Sequence, residues 1–166
     1  YLAAAQAQMA AWRAEMAPRM ASEARPIDPA RLAAEITAAL PADGILVADT
    51  GYSGIWTATM VDLEPGQSYL RAAGSLGWSF PAALGAKCAA PDRKVLCWSG
   101  DGALYYHLAE LETARRRGIA VTLVVNINSG FGQGWPNFKR SAGNRPGAAE
   151  EILRFGPTDF TAVARS

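Results

Sequence analysis

Histidine and cysteine are scarce in this chain, with one His and two Cys among 166 residues. The two thiols, Cys88 and Cys97, have neither metal-ligand spacing nor the density of a disulfide framework, and they read as buried thiols in a reducing cytoplasm. A charge imbalance is missing too. The net charge of +1 gives no general reason to expect nucleic acid or an anionic membrane as a partner. No apolar run approaches the length of a bilayer span, and the first residues lack the basic, apolar and small-residue order of a signal peptide. The expectation is a soluble, cytoplasmic protein. There is no internal repeat, and no low-complexity segment beyond an Ala-rich start. What the chain does have is apolar residues, 50% of the total, and 16 glycines. That is enough for one domain with a substantial core.

The glycines gather where the hydrophobic pattern changes. Residues 94–98 are a short apolar run of β-forming residues that stops at the turn sequence Ser99-Gly100-Asp101-Gly102. From Ala103 onward Leu104, His107, Leu108, Leu111 and Ala114 recur at helical spacing, with Glu110, Glu112, Arg115 and Arg116 largely opposite. Residues 115–117 suit the last turn of that helix and Gly118 its stop. Residues 119–125 are so continuously apolar that they predict a parallel strand buried on both faces. A right-handed β-α-β unit brings its two strand ends together at the carboxyl edge of the sheet, where open α/β sheets bind ligands. Asp101 and the turn at Asn128 are therefore expected to face one pocket. Carboxylate, amide and backbone carbonyl oxygens are hard ligands suited to Mg²⁺ or Ca²⁺ rather than zinc. Gly100, Gly102, Gly130, Gly132 and Gly134 let backbone N–H groups and a helix N-terminus approach a phosphate. The pattern fits a metal diphosphate.

This segment resembles the signature of thiamine diphosphate (ThDP) dependent enzymes, a GDG followed at a distance by Asn-Asn; here Gly100-Asp101-Gly102 precedes residues 103–126 and then Ile127-Asn128. Residues 71–86, RAAGSLGWSFPAALGA, are similar to the Gly-rich helix start of acetolactate synthases and benzoylformate decarboxylases. Residues 49–56, DTGYSGIW, resemble the acetolactate synthase stretch that touches the diphosphate.

The resemblance implies the C-terminal diphosphate (PP) domain of an acetolactate-synthase-like enzyme. Its fold would be a three-layer, doubly wound α/β domain with a mainly parallel sheet and helices on both faces. It implies ThDP and Mg²⁺ as cofactors, the metal held by Asp101, the Asn128 side chain and the Gly130 carbonyl. Gly51, Tyr52, Ser53, Gly100, Gly102, Ala103, Phe131 and Gly132 would contact the diphosphate. Gly74 would meet the aminopyrimidine, and Leu76 would prop the cofactor's bent shape. Ile127 stands where the family has Asn, so a supporting hydrogen bond and some affinity are expected to be lost; Asn126, one residue earlier, is a partial substitute whose side chain should point to the opposite face of the strand.

No catalytic side chain is assigned, because the glutamate that activates the cofactor in this family comes from a separate pyrimidine-binding domain, usually of a neighbouring subunit. The implied whole is a homodimeric or homotetrameric lyase or transferase. It would decarboxylate a small 2-oxo acid and pass the remaining fragment to a proton or a second carbonyl. Other readings stay open: a stand-alone PP subunit of a split decarboxylase, a non-catalytic ThDP-binding homologue, or an unrelated Mg²⁺-nucleotide domain.

In chain order, residues 1–27 read as a helix and interdomain linker and residues 28–166 as the ThDP diphosphate- and Mg-binding domain, cut short at its C-terminus. The first helix covers residues 2–16 and a Pro-containing connector residues 18–29. Asp28-Pro29 caps a helix that runs to Leu40. Residues 44–48 form a strand that delivers Asp49-Thr50-Gly51 to the carboxyl edge. A helix over 53–60, a short strand at 69–70 and a helix over 77–90 with Pro81 in its first turn follow. Residues 135–147 have no period and many breakers, predicting a loop, and residues 159–165 a helix. His107 reads as a core or subunit-contact residue rather than an acid–base group. Trp56, Trp78, Trp98 and Trp135 read as core or interface.

Overall fold

Three short runs of apolar and β-branched residues and the more polar edge segment Ser68–Arg71 become the four strands of one parallel sheet: β1 (Ile45–Ala48), β2 (Ser68–Arg71), β3 (Val95–Gly100) and β4 (Thr122–Asn126), in the order β2-β1-β3-β4. The computed structural model describes residues 1–143, 145 and 149–166. Helices alternate with the strands: α1 (Leu2–Met20), α2 (Pro29–Ala39), α3 (Tyr52–Met60), α4 (Ser79–Ala89), α5 (Asp101–Leu104), α6 (Glu110–Arg117), α7 (Gly134–Ser141), α8 (Ala149–Leu153) and α9 (Phe160–Arg165). No helix among the described residues is long and apolar enough to cross a membrane.

The chain forms two compact units. In the smaller, residues 1–39 and 56–63, Asp28 caps α2 by accepting the Ala30 N–H at 2.8 Å, as the Asp-Pro pair predicts. The same carboxylate takes a two-armed contact from Arg19, at 3.0 Å on each oxygen, and that partner holds its pKa below the ordinary carboxylate value. The expected connector from Pro18 is shorter than the sequence suggests. Pro18 lies inside α1, in its last turn, where it removes the N–H that would bond the Ala14 carbonyl and so weakens the end of the helix without stopping it.

The larger unit, residues 40–55 and 64–166, carries the sheet. The registers align the strand ends: Ala48 lies beside Arg71 and Trp98, and Gly100 beside Asn126. Ile45, Val47, Val95 and Cys97 meet Phe80, Ala83 and Leu84 of α4, with Leu104 and Phe160, in one buried cluster. From β1 the winding steps outward to β2, then returns past β1 to β3 and on to β4. It thus reverses between β1 and β3, the switch point at which open α/β sheets bind ligands.

Four expectations fail, each for a local reason. Helical winding after Ala103 is not one helix: α5 tightens into a 3₁₀ turn at Tyr105–His107 before α6 resumes. β4 is not buried on both faces, because it is the outermost strand and most of its residues are only half-buried. Cys88 is exposed, and only Cys97 is buried. The loop expected over 135–147 is helical as α7 up to Ser141, since Pro136 falls in the first turn, where its missing N–H costs nothing. Residues 144 and 146–148 of that expected loop lie outside the described residues.

Candidate functional site

Asp101 is the first residue past β3, and it is 97% buried although it has no salt-bridge partner among the described residues. Its carboxylate is held instead by backbone N–H donors: Gly102 to Oδ1 at 2.8 Å, and Asn128 and Ser129 to Oδ2 at 3.2 and 2.6 Å. Two of these come from the turn after β4. The predicted convergence of the two turns is therefore direct contact. Ser129 pays for it with a left-handed backbone, φ 56°, unusual for a residue with a Cβ. Its carbonyl accepts the Phe155 N–H at 2.9 Å, and Phe131 donates to the Leu153 carbonyl at 2.8 Å, so residues 153–155 splint the turn from outside.

A cavity of about 180 Å³ opens in front of this contact. It is lined by Gly51, Tyr52, Ser53, Leu76, Gly100, Asp101, Gly102, Ala103, Asn128, Gly130, Phe131 and Gly132. Of the residues expected at the site only Gly74 is missing; it lies exposed on the bend before Leu76, with φ 84°. Thr50, Asn126, Gln133 and Gly134 complete the lining. Thr50 and Gln133 have no charge or spacing to mark them in sequence. Asn126 faces the cavity with Asn128, as strand alternation requires, and its Oδ1 accepts the Trp98 indole N–H at 3.0 Å. Ile127 points the other way, 57% exposed and lining an apolar groove with Leu123 and Val125. His107 is half-buried beside Gly77 and does not line the cavity.

Three oxygens of this rim keep acceptor capacity. The Asp101 carboxylate uses three of about four acceptor positions. Asn128 Oδ1 accepts one bond, from the Gly130 N–H at 3.1 Å, and the Gly130 carbonyl one, from Gly132 at 3.0 Å. A carboxylate, an amide oxygen and a carbonyl form a hard donor set that fits Mg²⁺. Among the described residues no group of three or more His, Cys, Asp or Glu offers a competing metal site. The glycines are close-fitting. A Cβ on Gly132 would come within 2.6 Å of Asn128 Nδ2 and 3.0 Å of the Tyr52 ring, and one on Gly102 within 2.9 Å of Phe131.

Behind the cavity the Cys97 thiol has no exposed surface, and burial pushes its pKa up to about 12, opposed by the Ser79 hydroxyl and helped to a lesser degree by the Asp49 carboxylate. It is packing rather than a nucleophile.

Comparison with known proteins settles the family. Residues 49–166 match the family described as thiamine pyrophosphate enzyme, C-terminal TPP binding domain. The chain belongs to that family. This TPP-binding domain is 30% identical over 141 residues to a probable acetolactate synthase large subunit of Methanococcus aeolicus, covering 78% of the chain and 24% of the relative. It is 35% identical over 99 residues to the Escherichia coli K12 acetolactate synthase isozyme 1 large subunit, over 58% of the chain and 18% of that relative. Among solved structures it is similar to the ThDP-dependent 4-hydroxybenzoylformate decarboxylase of Rhodococcus jostii RHA1, with a TM-score of 0.71 and 31% identity, covering 84% of the chain and 26% of that protein. The domain thus spans about a quarter or less of the length of these relatives.

Proposed function

We propose that this TPP-binding domain anchors Mg²⁺ and the diphosphate of ThDP, as the PP half of an enzyme that decarboxylates a small 2-oxo acid and transfers the remaining fragment in the manner of an acetolactate synthase. The observation that carries the reading is the Asp101 carboxylate, buried at the sheet's switch point and bonded to the Asn128 and Ser129 N–H groups of the facing turn. Asp101, Asn128 and the Gly130 carbonyl would hold the metal. Gly51, Tyr52 and Ser53, at the start of α3, and the backbone of Gly100, Gly102, Ala103, Phe131 and Gly132 would meet the diphosphate. Leu76 would support the organic part of the cofactor, with Gly74 leading into its turn.

When bound, ThDP supplies the electron sink for decarboxylating a 2-oxo acid. The chain's own part is to orient the diphosphate, to neutralise it through the metal, and to close the floor of the site with Leu76 and Phe131. The greater length of the relatives, of which this chain spans about a quarter or less, supports a pyrimidine-binding domain or subunit as the source of the activating acid, with an oligomeric enzyme as the working form. The relatives named as acetolactate synthases and as a decarboxylase support 2-oxo acids as the substrate class.

The test is turnover by the protein carrying this domain. CO₂ release from pyruvate that requires both ThDP and Mg²⁺ is expected. Release that persists without either one contradicts the reading.

A further inference from the structure

Asp49 is a carboxylate that no metal, substrate or cofactor contact explains. It is 99% buried at the end of β1, and it does not line the cavity. Among the described residues no cation is paired with it. Its oxygens accept backbone N–H groups instead: Thr50 and Gly77 to Oδ1 at 2.8 and 2.9 Å, and Ser79 to Oδ2 at 2.8 Å. Gly77 and Ser79 lie 28 and 30 residues away, at the start of α4. A buried carboxylate is costly unless satisfied in this way, so the arrangement is strongly specified.

The bonds define a mechanical link. The segment joining β2 to α4 has left-handed glycines at Gly74 and Gly77, φ 84° and 93°, and between them it presents Leu76 to the cavity. Asp49 grips this segment just past Leu76, and Thr50 Oγ1 grips it just before, at the Ala72 carbonyl, 3.3 Å away. Gly77 in turn packs so closely on α5 and the turn after it that a Cβ there would stand 2.7 Å from Tyr106 Cβ and 3.1 Å from the Ala103 carbonyl. Asp49 therefore connects the β1 exit, the Leu76 bend and the helix that starts with Asp101.

We propose that Asp49 is a positioning residue: it fixes the Leu76 bend against the floor of the site and so sets the affinity for the organic part of ThDP, while Asp101 and Asn128 hold the metal and diphosphate. This rests on the function proposed above. Asn at position 49 keeps the shape but turns an amino group toward at least one N–H donor.

Two probes separate the roles: ThDP with Mg²⁺, and magnesium pyrophosphate, which lacks the part that Leu76 supports. In the protein, Asp49→Asn is expected to weaken ThDP roughly ten- to hundredfold, the worth of a charge-assisted hydrogen bond, and magnesium pyrophosphate much less. Leu76→Ala should produce the same selective loss, and the double variant should bind ThDP no more weakly than Leu76→Ala alone. Equal losses for both probes, or fully additive losses in the double variant, overturn the proposal.

If Asp49→Asn does not fold, hydrogen exchange in the wild type decides. The Gly77 and Ser79 amides are expected to exchange as slowly as those of β1 and β3, and fast exchange there refutes the link. A wild type that binds neither probe sinks the parent reading instead, and the exchange result still decides whether Asp49 holds the bend.

Discussion

Gly132→Ala places a single methyl group between two residues assigned to the site. A Cβ at that position would stand 2.6 Å from Asn128 Nδ2, about 0.8 Å inside the 3.4 Å at which ordinary contact begins, and 3.0 and 3.2 Å from two atoms of the Tyr52 ring. The backbone at Gly132 is not left-handed, so alanine brings no backbone strain and the effect is purely one of space. The ring is broad and the amide sits on an exposed turn, so the amide moves. Mg²⁺ demands oxygens at about 2.0–2.1 Å in near-octahedral order, and a shift of this size would take Asn128 out of the proposed ligand set. Disturbing one ligand's support typically costs about 10- to 100-fold in metal affinity. Overpacking costs about 1–3 kcal/mol of stability. Calorimetric titration of the variant with Mg²⁺ and ThDP, beside a thermal melt, measures both. A folded Gly132→Ala protein that binds Mg·ThDP as tightly as the wild type refutes the placement of Asn128 on the metal.

Two further outcomes are expected. Ile127→Asn restores the family's residue, but at a position whose side chain faces the apolar groove; Mg·ThDP affinity should stay within about twofold of wild type, as for surface changes away from a site, and a large gain in titration counts against the orientation of β4. Cys97 keeps its proton in the folded protein up to about pH 12, whereas the unfolded thiol ionises near 9.0, so its contribution to stability is full below pH 9 and declines as pH rises through that window. A thiol reagent at pH 8 should accordingly modify the exposed Cys88 in the native protein and reach Cys97 only after denaturation; two rapidly reacting thiols contradict the packing behind Asp49.

The β-α-β frame was legible because its signals are local. An apolar run ending in Gly100-Asp101-Gly102 and another ending at Asn128 place two strand ends, and handedness then brings them together. Asp28-Pro29 announced α2 for the same kind of reason. Asp49 was legible as a strand end at the carboxyl edge, but its role was not, since it lies in N–H groups 28 and 30 residues further on, and no spacing rule marks a backbone donor. Ser129 escaped because its left-handed conformation is imposed by Asp101 and Phe155, not by its own side chain. β4 read as doubly buried from its apolar content, but burial depends on a neighbour that composition does not reveal. α7 was hidden behind Gly134, Pro136 and Asn137, residues that break a helix interior yet suit a first turn. Strand alternation puts Asn126 on the face opposite Ile127, and the structure has Asn126 and Asn128 on the cavity and Ile127 on the apolar groove.

The most direct measurement is a calorimetric titration of wild type and Asp101→Asn with ThDP, each in Mg²⁺ and in EDTA. The wild type is expected to bind ThDP only with Mg²⁺, and Asp101→Asn to lose roughly a hundredfold or more, because the amide removes the charge that faces the metal while leaving an oxygen for the Asn128 and Ser129 N–H groups. Metal-dependent binding that survives unchanged in Asp101→Asn would contradict the assignment of the site.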